Sequence, residues 1–175
     1  MIGRLLCLVF FVVLSAWGRD LYLPAMLSHS IELDREQPEQ SWASAALAGG
    51  FTTLKGEWAP NSTLVCLGYD QTGLYVQITG QLSPGQVPRN KCSAHDNFGV
   101  FSDDSVEIML SPARVLVDGQ LQANKQGVYF HLCCNLSGYY YSACGRDLSW
   151  QPDGMRVNSC QVEAKYWQQQ FWIPY

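Results

Sequence analysis

From residue 62 onward, apolar positions recur at every second residue. Leu74, Val76 and Ile78 alternate with Tyr75, Gln77 and Thr79; Val106, Ile108 and Leu110 alternate with Ser105, Glu107, Met109 and Ser111. Val128, Phe130, Leu132, Cys134 and Leu136 alternate with Tyr129, His131, Cys133 and Asn135. A period of two marks half-buried strands. The run Leu64–Leu67 before the turn signal Asp70-Gln71-Thr72-Gly73 predicts a hairpin over residues 63–80. A weaker strand has Val157, Ser159, Gln161 and Glu163 on one face and Cys160, Val162 and Ala164 on the other, and a last run covers Tyr166 to Tyr175. Residues 19–41 read as polar and irregular, with Pro24 and Pro38. Trp42–Leu47, broken by Gly49-Gly50, reads as a helical turn or an edge strand. No long 3.6-residue period and no repeat appears. Short strands between turns predict an all-β chain, an antiparallel β-sandwich or barrel.

Strand alternation also assigns faces. Leu74, Val76, Ile78, Val106, Ile108, Leu110, Val128, Phe130 and Leu132 are expected in the core. If these strands share one sheet, its other face carries Tyr75, Gln77, Thr79, Glu107, Met109, Tyr129, His131 and Asn135. Rings stack on the C–H faces of sugars, while amides and acids bind hydroxyls, so this is a sugar-binding surface, an ordinary solvated face, or a face covered by a loop. The covering loop would be residues 81–102, rich in Gly, Pro, Asn and Ser, with Cys92 as a tether. Loops of that length are commonly functional or disordered.

The first 18 residues have a different pattern. Arg4 precedes the apolar stretch Leu5–Leu14, and Ser15-Ala16-Trp17-Gly18 ends it. A charged start, a short apolar core and a small-x-small site describe a secretory signal peptide, with cleavage expected after Gly18. The stretch is too short for a comfortable membrane span. The expected organisation is therefore 1–18 signal peptide, 19–30 N-terminal extension and 31–175 β-sandwich domain. The mature chain is expected to be secreted, extracellular or periplasmic, with no membrane span.

Composition adds three constraints. Only 15% of the 175 residues are charged, 47% are hydrophobic and 13% aromatic, which excludes a disordered charged tail. A net charge of −4 without a basic run argues against nucleic acid as a partner. Cys7 leaves with the signal, and Cys66, Cys92, Cys133, Cys134, Cys144 and Cys160 remain, an even set that suggests disulfides in an exported domain. Neighbouring Cys133 and Cys134 point to opposite faces and are not expected to bond each other. Asn61-Ser62-Thr63 and Asn135-Leu136-Ser137 are glycosylation sequons.

Catalytic signals are poor. His29, His95 and His131 have unrelated contexts, and no nucleophile elbow is present. A glycosidase needs two carboxylates flanking a cleft, and nothing places Glu107 beside Glu163. Asp103-Asp104 reads either as a turn before a strand or as a pair of Ca²⁺ ligands.

A set of ordered motifs carries a resemblance. Asn61-Ser62-Thr63-Leu64-Val65-Cys66-Leu67-Gly68-Tyr69-Asp70 with Gly73-Leu74-Tyr75-Val76 resembles the T-x-v-x-l-x-y-D…L-Y-V hairpin of family 9 carbohydrate-binding modules. Ser102 to Pro112 is similar to that family's D-D-S-V-E-[IV]-F-L-x-P strand. Tyr129-Phe130-His131 with Asn135, Ser137 and Gly138 is similar to its Y-x-x-f-x-x-N-x-x-G turn, followed by Trp150. Tyr166-Trp167 through Ile173-Pro174-Tyr175 resembles Y-W-x-x-E-x-x-I-P-F, and Trp42-Ala43 with Phe51 resembles the W-x-x-A…F opening. The likeness covers residues 31–175. It departs at Gln170, where the family has Glu, in its cysteines, and at Tyr175, where relatives continue into a further strand.

The resemblance implies a β-sandwich of the group that includes DOMON domains, some binding sugars and others haem. The expected function is a non-catalytic carbohydrate-binding domain whose partner is a polysaccharide or oligosaccharide. Candidate stacking rings are Trp150, Trp58 and Tyr140, and candidate polar partners are Glu107, His131 and Arg114. The alternative is a haem-binding electron-transfer domain, for which Met109 and His131 on one expected face would be the axial pair.

Overall fold

The Asp70 carboxylate shapes the first long hairpin. Its Oδ1 accepts from the Thr72 N–H at 2.7 Å, the Thr72 hydroxyl at 2.6 Å and the Gly73 N–H at 3.1 Å, an Asx turn that reverses the chain. The computed structural model describes residues 11–15, 18–22, 24–33, 42–118, 120–162 and 165–175. Arg4, Cys7, Ala16, Pro38, Glu163 and Ala164, used above, lie outside them. The strands are β1 (Phe11–Ser15), β2 (Gly18–Tyr22), β3 (Ala25–Met26), β4 (Ala46–Ala48), β5 (Thr63–Tyr69), β6 (Gly73–Gln81), β7 (Ser105–Leu110), β8 (Arg114–Val117), β9 (Gln120–Ala123), β10 (Phe130–Asn135), β11 (Tyr140–Cys144), β12 (Arg156–Val162) and β13 (Tyr166–Pro174). The chain is all-β, with a short 3-10 helix at Phe98–Ser102.

Two sheets organise the molecule. The larger runs β12-β13-β6-β5, with β5's far edge shared by the parallel strand β3 and the antiparallel strand β4. The smaller runs β11-β10-β7. The pair β8–β9 and the pair β1–β2 form separate ladders. The β1–β2 ladder joins Ser15 to Gly18 and Leu14 to Arg19, across the expected cleavage point, so neither main sheet uses β1.

One buried cluster draws on both sheets. Leu67, Leu74, Val76, Ile78 and Phe171 come from the larger sheet; Val106, Ile108, Leu110, Leu132 and Cys134 come from the smaller. Burial of each such side chain contributes about 1.5–3 kcal/mol before entropy is subtracted. Gly80 in β6 lies opposite Trp167 of β13, and a Cβ there would overlap the indole ring. Phe130 is half-buried at the rim, and Val128 precedes its strand.

The shared face expected from alternation is divided. Tyr75, Gln77 and Thr79 belong to β6 in the larger sheet, whereas Glu107, Met109 and His131 belong to the smaller one. Two outer faces result, each partly covered. Leu27, Ile31 and Trp42 from the N-terminal segments pack on Cys66 and Tyr75 of the larger sheet. Val100 and Cys92 from the long loop pack on Cys133, Tyr141 and Ala143 of the smaller sheet. Cys134 faces the inter-sheet core and Cys133 the loop, on opposite sides as alternation requires. No disulfide is formed among the described residues.

Candidate functional site

The site is built by the loop that crosses the smaller sheet. Asp103 closes that loop. Its side chain is 1% exposed and accepts from the Lys91 N–H at 3.0 Å, the Cys92 N–H at 2.8 Å and Asn135 Nδ2 at 3.0 Å, with Arg89 Nε 3.8 Å away. Burial pushes its carboxyl upward, but these donors outweigh it and hold the group below the ordinary carboxylate range. Asp104 Oδ2 accepts the Arg89 N–H at 2.7 Å. These oxygens are committed to N–H donors that a cation would have to displace, and no three His, Cys, Asp or Glu side chains gather at one point among the described residues. Asp103 and Asp104 therefore serve as acceptors for backbone N–H groups of residues 89–92, across the loop and not within a local turn.

The clasp seats the 3-10 helix on the outer face of β10 and β11. Asn97 caps it by accepting the Gly99 N–H at 2.8 Å. Val100 turns inward and is fully buried, so Phe98 and Phe101 are left outward, 63% and 37% exposed. Their rings lie 6.0 Å apart in a stacked pair. Both rest on Tyr141, at 5.0 Å and 5.1 Å, and Phe101 lies 5.6 Å from the His131 ring. His131 Nε2 is 2.9 Å from Glu107 Oε2, and the Glu107 side chain is 51% exposed. The result is a continuous surface of two rings, an imidazole and a carboxylate. Apolar ring faces beside groups that hydrogen-bond suit a ligand with C–H faces and hydroxyls.

Of the expected site residues, the structure brings together Glu107 and His131. Trp150 is half-buried, its ring 4.9 Å from Phe130 at the edge of the inter-sheet core. Tyr140 also packs against that core, and its ring lies 4.3 Å from His95. Trp58 is 75% exposed, in the β4–β5 connection, where it bridges to Thr52. Arg114 lies exposed on the separate β8–β9 ladder.

Met109 and His131 are direct cross-strand partners of β7 and β10. Axial haem ligands approach the iron from opposite sides of a flat macrocycle. Two neighbours on one sheet surface, about 5 Å apart at Cβ, leave no slot for it, and His131 already bonds Glu107. The pair does not fit haem.

Phe98 and Phe101 are site residues that the alternation of apolar positions does not mark. The available signal is local: Phe98-Gly99-Val100-Phe101, the one dense apolar group in a polar loop. No family model, curated protein or solved structure matches the chain.

Proposed function

We propose that this chain is an exported, non-catalytic carbohydrate-binding domain, a β-sandwich of the family 9 module and DOMON type in which the two sheets are the layers. The observation that carries this reading is the exposed Phe98–Phe101 pair beside the Glu107–His131 pair. The rings stack on the C–H face of a sugar, and the half-exposed Glu107 carboxylate accepts its hydroxyls. His131 holds that carboxylate in place.

No bond is made or broken in this scheme, so recognition is by stacking and hydrogen bonding alone. Calorimetric titration of the full chain with oligosaccharides, chosen from a glycan array, tests it. Phe101→Ala is expected to weaken binding about tenfold, equivalent to ~1.4 kcal/mol, and Glu107→Gln by a similar amount, with melting temperature little changed. Sugar affinity unaffected by both changes, or release of reducing sugar from the polysaccharide, overturns the reading.

A further inference from the structure

We infer that the surface of rings and carboxylate selects a cationic sugar: its ligand is a chain of glucosaminyl units, whose ammonium group meets Glu107 while the C–H face of the sugar lies on Phe98 and Phe101. The inference rests on the sugar-binding reading above and names the class of sugar. Two features of this surface attract positive charge, and they lie side by side. His131 links them. Its ring is 5.6 Å from that of Phe101, and its Nε2 is 2.9 Å from Glu107 Oε2.

The carboxylate is the first feature. The Glu107 side chain is half-exposed on β7, and among the described residues His131 is its one side-chain partner. Its Oε1 is therefore open to a ligand. With hydrogen on Nε2, a neutral imidazole orients the carboxylate without cancelling its charge. An ionised carboxylate only accepts hydrogen bonds. A hydroxyl satisfies it, but an ammonium donor makes a charge-assisted bond, roughly twice as strong. A uronic acid would set one carboxylate against another. The net charge of −4 on the chain adds a weaker long-range attraction for cations.

The rings are the second feature. An aromatic face carries partial negative charge and attracts a cation within about 6 Å of its centre. Phe98 and Phe101 are both exposed, and Tyr141 supports them at 5.0 Å and 5.1 Å. An ammonium on a sugar stacked here is drawn by ring face and carboxylate together. A neutral sugar gains only stacking and ordinary hydrogen bonds. Met109, the cross-strand partner of His131, is also exposed and extends the apolar surface, so a chain of units is held better than a single one.

The test is calorimetric titration of the full chain with tetrasaccharides of glucosamine, of glucose and of galacturonic acid, at a pH where the sugar amines are protonated. Glucosamine is expected to bind about tenfold tighter than glucose, with galacturonic acid weakest. Glu107→Gln keeps the shape and removes the charge, and should bring glucosamine and glucose to equal affinity. Glu57→Gln removes the same charge from an exposed residue of the β4–β5 connection and should leave the preference intact. Equal affinity for glucosamine and glucose in the parent chain, or a preference that survives Glu107→Gln, overturns the inference and leaves the proposed function standing. A preference lost equally in Glu57→Gln reduces the effect to overall charge and overturns the inference as well. Binding of none of these, nor of any sugar on the glycan array, removes the proposed function itself and the inference with it.

Discussion

Asn135 donates from Nδ2 to Asp103 Oδ2 at 3.0 Å, and this contact ties the end of the loop to the sheet it covers. The same Nδ2 donates to the Cys92 carbonyl at 2.9 Å, while Oδ1 accepts the N–H groups of Ser137 and Tyr139, both at 3.1 Å. Asn135 is completely buried, so its whole hydrogen-bonding capacity is spent inside the fold.

Replacing Asn135 with Ala is expected to cost about 2 kcal/mol, within the range for buried groups left unpaired. It should also loosen Phe98 and Phe101, since the clasp seats their helix. Thermal melting together with sugar titration checks both effects. In a host that N-glycosylates exported proteins, the folded product is expected to carry glycan at Asn61 and none at Asn135. Asn61 has a reciprocal bond with Ser83, at 3.1 Å and 3.3 Å, to give up among the described residues. Glycopeptide mapping decides, and a glycan on Asn135 in folded protein would refute the clasp.

Strand positions were the most legible part of the sequence. The 63–80 hairpin appears as β5 and β6, and the alternating runs at 106–110 and 130–134 became β7 and β10 because burial on one face enforces a period of two. Alternation reports which side of a strand is buried, but not which sheet the strand joins. Tyr75 and His131 therefore read as neighbours although they lie on different sheets. The loop was less legible still. Its conformation depends on contacts between residues far apart in sequence, such as Asp103 with Asn135, and no local pattern encodes them. The sequence pattern marks no strand between Pro112 and Asn124, yet Arg114–Val117 pairs with Gln120–Ala123. Arg114 and Trp58 were placed by residue type alone, and type does not bring them to the Glu107 face.

Acid should weaken the fold through Asp70. Partial burial pushes this carboxyl up, but hydrogen bonds from Ser30, Thr72 and Tyr75 outweigh it and bring the pKa to about 2, below the ordinary 3.8. Because the folded value is the lower one, ionised Asp70 stabilises the fold. That contribution is complete above the unfolded pKa and disappears as pH falls through about 2. Asp70→Asn is expected to melt below the parent chain at neutral pH, and the gap should close between about pH 4 and pH 2. Melting curves of both proteins across that window measure it; a gap independent of pH would contradict the assignment.

Cys133 and Cys134 should be inert in the folded chain. Burial raises their thiols to about 11 and about 12, so almost no thiolate is present near neutrality. Alkylation at about pH 8, followed by peptide mass spectrometry, is expected to leave both unmodified until denaturant is added. Rapid native labelling of either would show that its cluster opens. A bond between the two would require one side chain to leave its face, and mapping should find none.

Trp150 separates a stacking role from a packing role. A tyrosine-rich strand followed by a Gly- and Pro-bounded loop favours an exposed ring in the sequence, but the structure sets this indole against Phe130 and the inter-sheet core. Its carbonyl also accepts the Ser142 hydroxyl at 3.1 Å, which anchors the segment to β11. That backbone contact survives substitution, so Trp150→Ala removes ring packing alone. The expected cost is about 3 kcal/mol, at the lower end for a truncated aromatic because one side of the ring reaches solvent. Sugar affinity per folded molecule should stay within a factor of two, about 0.4 kcal/mol. Denaturant unfolding and calorimetry on the same preparation provide the two numbers. A variant that keeps its stability and loses its sugar would return Trp150 to the binding surface and displace Phe98 and Phe101 from it.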